Sequence, residues 1–443
     1  GGAGMQLAHC IVHGHTTYDL GDTDAKRFAP VFNSLEHLMA RAPEVLGTHY
    51  DIAYPGNQFL SARNIKTLPV HAQHTHDGAH FGQTGHWERP LYFGKRDEPR
   101  LSFGRPDWFD QVAAEVNAAH SGAALFDASC FGKFDISGSD AESVVATLCS
   151  GAVNRKTGSV SYNLMLNARG TIELDLTVQR LSDADYRLIV GTQVSRKASA
   201  LIRAACAGAD VQVTDSTDEL ALFSLSGPRA FDIARTLGAS AVEALPYLSI
   251  AEDTLAGLPV TLARLSYVGE SGVEITCASG DASAVHAALR AAGAHPAGLY
   301  AQTAMRIEKR FCAVGHELDS DMRPTELGLT FACRKHGGYR GADAVDAARG
   351  EPVRLRTLVF DDHTAVPIGH EPVYSGGSIV GQTSSAGFAH RVGAPIALAL
   401  FHRGVEPPTT AEVDIAGSRF SAQVLNGAAF DPTGQRMRED IAP

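Results

Sequence analysis

The sequence predicts an α+β protein that ends in a separate all-β barrel, and three observations carry the prediction. Residues 163–181 read as strand, tight turn and strand, with alternation at period two along the second strand. Helix-period stretches and short strands are interspersed from residue 32 to residue 310. After residue 353, short alternating segments follow one another between Gly, Pro and Asp turns, the spacing of a small barrel.

A chain of 443 residues allows roughly two to four domains. Hydrophobic residues are 44% and charged residues 20%, ordinary for a soluble globular protein. The net charge of -11 disfavours nucleic acid and anionic membrane surfaces as partners. No apolar run is long enough for a transmembrane helix. The seven cysteines are scattered and no pair has C-x-x-C spacing, so neither a disulfide framework nor a zinc site is expected. A glycine-rich, uncharged start does not read as a signal peptide, and the expected location is the cytoplasm.

Taken in order, residues 5–12 form an apolar helical pattern, and a second helix is expected from 32 to 46. His71, His74, His76, His80 and His86 lie in a Gly/Thr/Gln-rich stretch. Their spacing fits neither a zinc finger nor H-E-x-x-H, so a solvated linker without metal is expected. That stretch runs into Trp87-Glu88-Arg89-Pro90, an aromatic–proline anchor. Residues 109–120 read as helix, 123–138 as two short strands turning at Asp127-Ala128-Ser129, and 140–148 as a helix with an acidic first turn. A strand at 186–190 precedes an amphipathic helix at 196–206. A strand at 219–227 ends in Gly227-Pro228, where the proline is placed to open a helix. Another strand at 260–265 leads to Tyr267, and residues 298–310 read as helix. Barrel strands are expected at 355–361, 371–374, 378–382, 395–402, 410–415 and 419–425.

In the hairpin, Asn167-Ala168-Arg169-Gly170 forms the turn, with Gly170 free to take positive φ. Ile172, Leu174, Leu176 and Val178 point to one face; Glu173, Asp175, Thr177 and Gln179 point to the other. A carboxylate held among apolar neighbours on a rigid strand can exchange a proton near neutral pH, which makes Asp175 a candidate acid/base; a solvated strand face fits the same pattern. Gly269 and Gly272 let a planar ligand approach backbone closely. Tyr267 offers a ring face, although a core or rim tyrosine fits as well, and Glu274 can accept paired N–H donors.

Asn-Ala-x-Gly-x-x-x-x-Asp-Leu-Thr-Val at 167–178 resembles the folate-site hairpin of the aminomethyltransferase family. That family contains the glycine cleavage T-protein and the C-terminal half of dimethylglycine and sarcosine dehydrogenases. Leu-x-Gly-Pro-x-Ala at 225–230, Tyr-x-Gly-Glu-x-Gly-x-Glu at 267–274, Met-Arg-Ile-Glu at 305–308 and Gly-Gln-Thr-Ser-Ser at 381–385 are similar to the same family. Leu174-Asp175 in place of two adjacent acids, the Trp-Glu-Arg-Pro anchor, and the glycine-rich start continuing through residues 18–28 resemble the dimethylglycine-oxidising branch. There are departures: Cys130 stands where T-proteins have histidine, and Arg196 where they tend to have glutamate. Gly338 stands where a folate-binding iron–sulphur assembly branch has cysteine.

The resemblance implies an aminomethyltransferase-like fold of antiparallel sheets with helices over residues 69–350. Ahead of it would lie the tail of an FAD-dependent oxidoreductase domain with its linker (1–68), and after it a β-barrel domain (351–443). It implies that a flavin domain oxidises an N-methylamine to an iminium, whose carbon this chain transfers to tetrahydrofolate to give 5,10-methylenetetrahydrofolate. Asp175 is then the catalytic acid/base, Tyr267, Glu274 and Arg306 bind folate, and Phe131 and Phe331 line its pocket. Tetrahydrofolate is the implied cofactor; FAD would belong to a partner subunit or to an N-terminal domain outside this sequence, and the implied substrate is a small N-methylated amine. Two alternatives are a free-standing tetrahydrofolate-dependent aminomethyl- or methyltransferase and a non-catalytic folate-binding scaffold.

Overall fold

The computed structural model describes residues 1–13, 16–18, 20, 23, 29–94 and 98–438. The flavin-domain likeness expected over residues 18–28 falls largely outside the described residues. Alternating strands have built two antiparallel sheets, each with one apolar face covered by helices. The first has six strands in the order Ile250–Leu255, Leu258–Ala263, Gly272–Ala278, Leu220–Ser226, Ala124–Asp127 and His295–Ala297, with only the last pair parallel. The second has five: Val160–Leu166, Ile172–Arg180, Asp185–Val190, Gly132–Ser137 and Gln212–Asp215.

Period two decides what each face does. In the six-stranded sheet, Phe223, Leu225, Val273 and Ile275 pack with Val285 and Leu289 of helix Ala282–Ala291 and with Phe231 and Ile233 of helix Ala230–Thr236. Pro228 precedes that last helix by two residues, with Arg229 at its cap. In the five-stranded sheet, Leu174, Leu176, Val178, Leu188 and Val190 pack with Val145 of helix Ala141–Leu148 and Ile202 of helix Ser195–Ala205. The remaining faces are polar and turn toward each other. They touch where Ile189 of the smaller sheet meets Leu222 and Ala128 of the larger, and they are bridged again where Val160 N–H donates to Leu248 O at 2.9 Å. Between these two contacts a cleft remains.

One expectation is refined and one corrected. The segment 123–138 forms the two expected strands, with Ala124–Asp127 in the six-stranded sheet and Gly132–Ser137 in the five-stranded one, so the turn is a crossing between layers. The histidine-rich stretch is not a solvated linker. It folds as helix His71–His76 and strand Ala79–Thr84, the latter paired with Trp87–Phe93. His74 is buried against Asp127 at 2.9 Å, so burial and one charge partner have turned a polar stretch into a layer of the fold. Among the described residues, no cluster of His, Cys, Asp and Glu could hold a metal.

Residues 355–425 close into a six-stranded barrel in the order Leu355–Phe360, Ala394–Phe401, Ser378–Ala389, Pro372–Ser375, Thr410–Ile415 and Ser418–Leu425. Helix Leu299–Glu308 packs against barrel strand Ser378–Ala389 and so ties the barrel to the layer beneath it.

Candidate active site between the sheets

The hairpin turn forms as its residues dictate. Gly170 takes φ 74°, and Asn167 Oδ1 accepts from the backbone of Arg169 at 3.0 Å. Strand Ile172–Arg180 then carries Asp175 on its polar face, where Tyr162 Oη donates to Asp175 Oδ2 at 3.2 Å. Burial pushes the Asp175 carboxyl up to about 6, against the opposing effect of the Tyr162 hydrogen bond. The side chain is nevertheless partly solvent-accessible. A group surrounded by protein that water still reaches is set on the floor of a concave surface. Tyr162 has the same character, and its hydroxyl is held neutral by burial and by the Asp175 charge.

Tyr267 stands at the edge of the same cleft. Burial, followed by the charges of Arg306, Asp175 and Glu317, governs its hydroxyl, which places all of these groups within electrostatic reach of one another. Its Oη donates to Cys312 O at 3.1 Å, and its ring lies near-parallel to Phe311 with centroids 6.1 Å apart. Phe331, 75% exposed, lies beside Tyr162 at 6.1 Å between centroids, as an outer lip.

Glu274 points from the inner face of the larger sheet, beside Ser224 and Ala263 in register. Burial alone pushes its carboxyl up to about 7, and it has no hydrogen-bond partner among the described residues. Gln179, four residues beyond Asp175 on the same strand face, is fully buried with both amide atoms unpartnered. A sealed amide with nothing to bond is costly, and the half-buried Glu274 carboxylate is left open to solvent or to a ligand's N–H donors.

Arg306 is brought to the base of the site but is not presented to it. It is 2% exposed, and its terminal nitrogens donate to Glu317 at 3.1 Å, to the Phe311 carbonyl at 3.2 Å and to Ser385 Oγ of the barrel at 2.6 Å. The guanidinium thus ties the 311–317 segment, under Tyr267, to the barrel, with its N–H groups engaged by protein. Phe131 is half-buried and packs on Ile189 and Leu222, at the end of the cleft where the two sheets touch.

Three participants escaped the sequence reading. Tyr162 lies diagonally across the hairpin from Asp175, a cross-strand relation that period two shows only once register is known. Gln179 was visible as a fourth polar residue on the Asp175 face. Glu317 carries no local signal, because its partners Arg306 and Ser384 lie 11 and 67 positions away in sequence. A cavity of about 570 Å³ lies elsewhere, between helix Phe109–Ser121, helix Leu299–Glu308 and the barrel. None of the expected site residues lines it, and its titratable lining is basic or neutral (Arg100, Arg105, His363, His390 and Tyr300), with no carboxylate to move a proton.

Comparison with known proteins gives three matches to family models. Residues 70–337 match the GCVT N-terminal domain, residues 354–431 the glycine cleavage T-protein C-terminal barrel domain, and residues 13–67 the FAD dependent oxidoreductase central domain. The chain is 31% identical to 4-methylaminobutanoate oxidase (formaldehyde-forming) of Paenarthrobacter nicotinovorans, over 99% of this chain and 55% of that protein. It is 28% identical to mitochondrial dimethylglycine dehydrogenase of Rattus norvegicus, over 99% of this chain and 53% of that one. It thus spans about half the length of these relatives. It is 30% identical to the aminomethyltransferase of Saccharopolyspora erythraea, over 81% of this chain and 96% of that one. The solved aminomethyltransferase T of Bartonella henselae superposes with a TM-score of 0.74 at 22% identity, covering 83% of this chain and 99% of that chain, which shows the shared fold. Among the described residues, no helix is long and apolar enough to cross a membrane.

Proposed function

Because this chain belongs to the glycine cleavage T-protein (GCVT) family, we propose that it is the folate-binding half of an N-methylamine-demethylating flavoenzyme. In this reading it passes the one-carbon unit of an iminium to tetrahydrofolate, and 5,10-methylenetetrahydrofolate is the product. The single observation that carries the reading is Asp175, whose carboxyl is raised to about 6 on the floor of a cleft that also holds Glu274 without a partner. The proposed domain bounds remain 1–68, 69–350 and 351–443. FAD is proposed to belong to a partner subunit or to a further part of a longer polypeptide. The oxidoreductase central-domain match and the half-length coverage of the demethylating relatives support this.

The residues present suit a reduced pterin. Its amide and guanidine-like edge offers N–H donors to Glu274 and a mixed donor/acceptor edge to Gln179, whose amide atoms are orphaned without one. Tyr267 presents a ring beside them, and Phe131 and Phe331 close the two ends. Tetrahydrofolate supplies the nucleophilic nitrogens that accept the carbon. What the chain supplies is a proton acceptor and a shape. Asp175, ionised above about pH 6, takes the N–H proton of the attacking nitrogen and returns it to the amine that leaves as the one-carbon unit is transferred, and Tyr162 holds the carboxylate in position. The enclosed cleft limits the access of water, which would otherwise release the carbon as formaldehyde.

The test is calorimetry of the chain with folinic acid together with an absorbance scan of the purified protein. Heat of binding without a flavin spectrum is expected. A yellow protein carrying FAD, or no heat with folinic acid, would sink the reading.

A further inference from the structure

We propose that Arg89 is a carboxylate-binding residue on the wall of the cleft, holding the carboxylate of a bound reactant. The inference rests on the reading of the cleft as a one-carbon transfer site, but it stands on its own observations. Arg89 lies in strand Trp87–Phe93 and is only 8% exposed. Among the described residues none of its guanidinium N–H groups has a hydrogen-bond or ion-pair partner, yet its nitrogens are not sealed from solvent. Its one recorded neighbour is the Phe131 ring, 5.5 Å from guanidinium carbon to centroid.

The nearby acids are committed elsewhere. Glu88 accepts from Arg63 Nε at 2.9 Å and from Asn64 N at 2.8 Å. Asp127 is held by His74 at 2.9 Å and by Ser129 N at 2.8 Å. Asp218 pairs with Lys66 at 2.5 Å. Lys133, in strand Gly132–Ser137, donates its buried amine to the Ser129 and Phe131 carbonyls and so brings a further basic group rather than an acid. A largely buried guanidinium that meets only an aromatic face and a little solvent keeps its N–H groups free for an anion. The planar fork of arginine matches a carboxylate through two parallel hydrogen bonds.

The position of Arg89 connects it to Asp175. Phe131 packs on Ile189 and Leu222 at the end of the cleft. The adjacent Cys130 thiol accepts from Thr192 Oγ1 at 3.1 Å. Thr192 follows Val190, whose register partner is Leu176, next to Asp175. Two reactants could bring a carboxylate here: an amino-acid amine, or folate through its glutamyl tail.

The experiment compares each carboxylate with its neutral or truncated counterpart, by calorimetry on the full chain and on Arg89→Gln and Arg89→Lys. One arm uses sarcosine and 4-methylaminobutanoate against their carboxamides. The other uses folinic acid against the same pterin compound without its glutamate. In the wild type, one arm should show the carboxylate binding about 10- to 100-fold more tightly, the range expected for hydrogen bonds to a charged group. Arg89→Gln should erase that ratio and Arg89→Lys should keep part of it. The arm that responds identifies the source. The melting temperature of Arg89→Gln should be unchanged or raised, since an uncompensated charge is removed; if that variant fails to fold, a reduced ratio in folded Arg89→Lys carries the test. Ratios equal in wild type and variants in both arms would overturn the inference. If folinic acid fails to bind while the amine arm still depends on Arg89, the folate reading fails and the carboxylate site stands.

Discussion

The barrel junction and the inter-sheet cleft both hold buried ionisable groups, and they treat them in opposite ways. At the junction every buried charge has a partner. Arg306 pairs with Glu317, and Glu317 also accepts from Ser384 Oγ at 2.5 Å and Ser385 N at 3.0 Å. Burial alone would raise the Glu317 carboxyl; Arg306 and the two serines overcome this and hold it below the usual range. Arg391 pairs with both Glu308 and Glu270, although burial still leaves the Glu308 carboxyl above its usual range. In the cleft, Asp175 has one neutral hydroxyl and Glu274 has nothing, and burial raises both. The same physics is complete in one region and unfinished in the other. The junction is finished structure; the cleft is poised for a ligand.

The sharpest way to test the unfinished half is Asp175→Asn, which keeps the shape and removes the proton acceptor. With the flavin-bearing partner supplied, transfer to folate should fall by about 100- to 10,000-fold, the usual size of a general-base loss, and formaldehyde should rise in its place. In the wild type the transfer rate should climb as pH rises through about 6, because only the ionised form accepts a proton. That inflection should vanish in the variant. An unchanged ratio of formaldehyde to methylenetetrahydrofolate would remove Asp175 from the chemistry.

The finished half should break differently. Glu317→Ala strands a buried guanidinium and should cost about 3–5 kcal/mol in chemical denaturation. Folate affinity should fall with it, since Arg306 then no longer holds the segment under Tyr267. If Glu317→Ala loses less than about 1 kcal/mol, the junction is not the rigid support claimed for it.

Much of this division was legible in the sequence. Strand alternation separated the apolar face of 172–178 from the polar face that carries Asp175, because both are local properties of one strand. The barrel strands were equally local. What was not legible depends on partners distant in sequence. Nothing in Met305-Arg306-Ile307-Glu308 says that barrel residue Ser385 will close over the guanidinium, so a folate-reaching arginine was expected where a buried one, bonded to protein groups, stands. Alternation over 123–138 announces two strands but not that they belong to different sheets. The histidines of 71–76 read as solvated because Asp127, the partner that buries His74, lies fifty-three positions away.

Glu274→Gln addresses the cleft from the stability side as well as the binding side. Its folded carboxyl is raised to about 7, so the fold disfavours the ionised form. That penalty is absent below the unfolded value of about 4.3 and fully present above about 7. Glu274→Gln should therefore melt higher than wild type at pH 8 and equally at pH 4. Folinic acid binding should weaken by about 1.5–3 kcal/mol, the range for a hydrogen bond to a charged group. Gained stability with full affinity would mean that the pterin edge lies elsewhere in the cleft.

Tyr267 belongs to both regions, and its two variants separate them with the smallest expected effects. Its ring borders the cleft, while its hydroxyl reaches down to the Cys312 carbonyl beside the Arg306–Glu317 pair. Tyr267→Phe removes only the lower contact. It should cost about 0.5–1.5 kcal/mol of stability, a single hydrogen bond, and leave folinic acid affinity almost unchanged. Tyr267→Ala removes the ring too. Beyond the stability loss, it should weaken folinic acid by about 0.5–1.5 kcal/mol more than the lost area predicts, if the ring stacks on the pterin. Melting curves and calorimetry on both variants decide the matter. Should affinity follow stability in the same proportion for Phe and Ala, the ring is only a lid over the junction and the stacking role fails. If affinity falls in Ala alone, the residue carries the boundary between the region that is complete and the region that waits for a ligand.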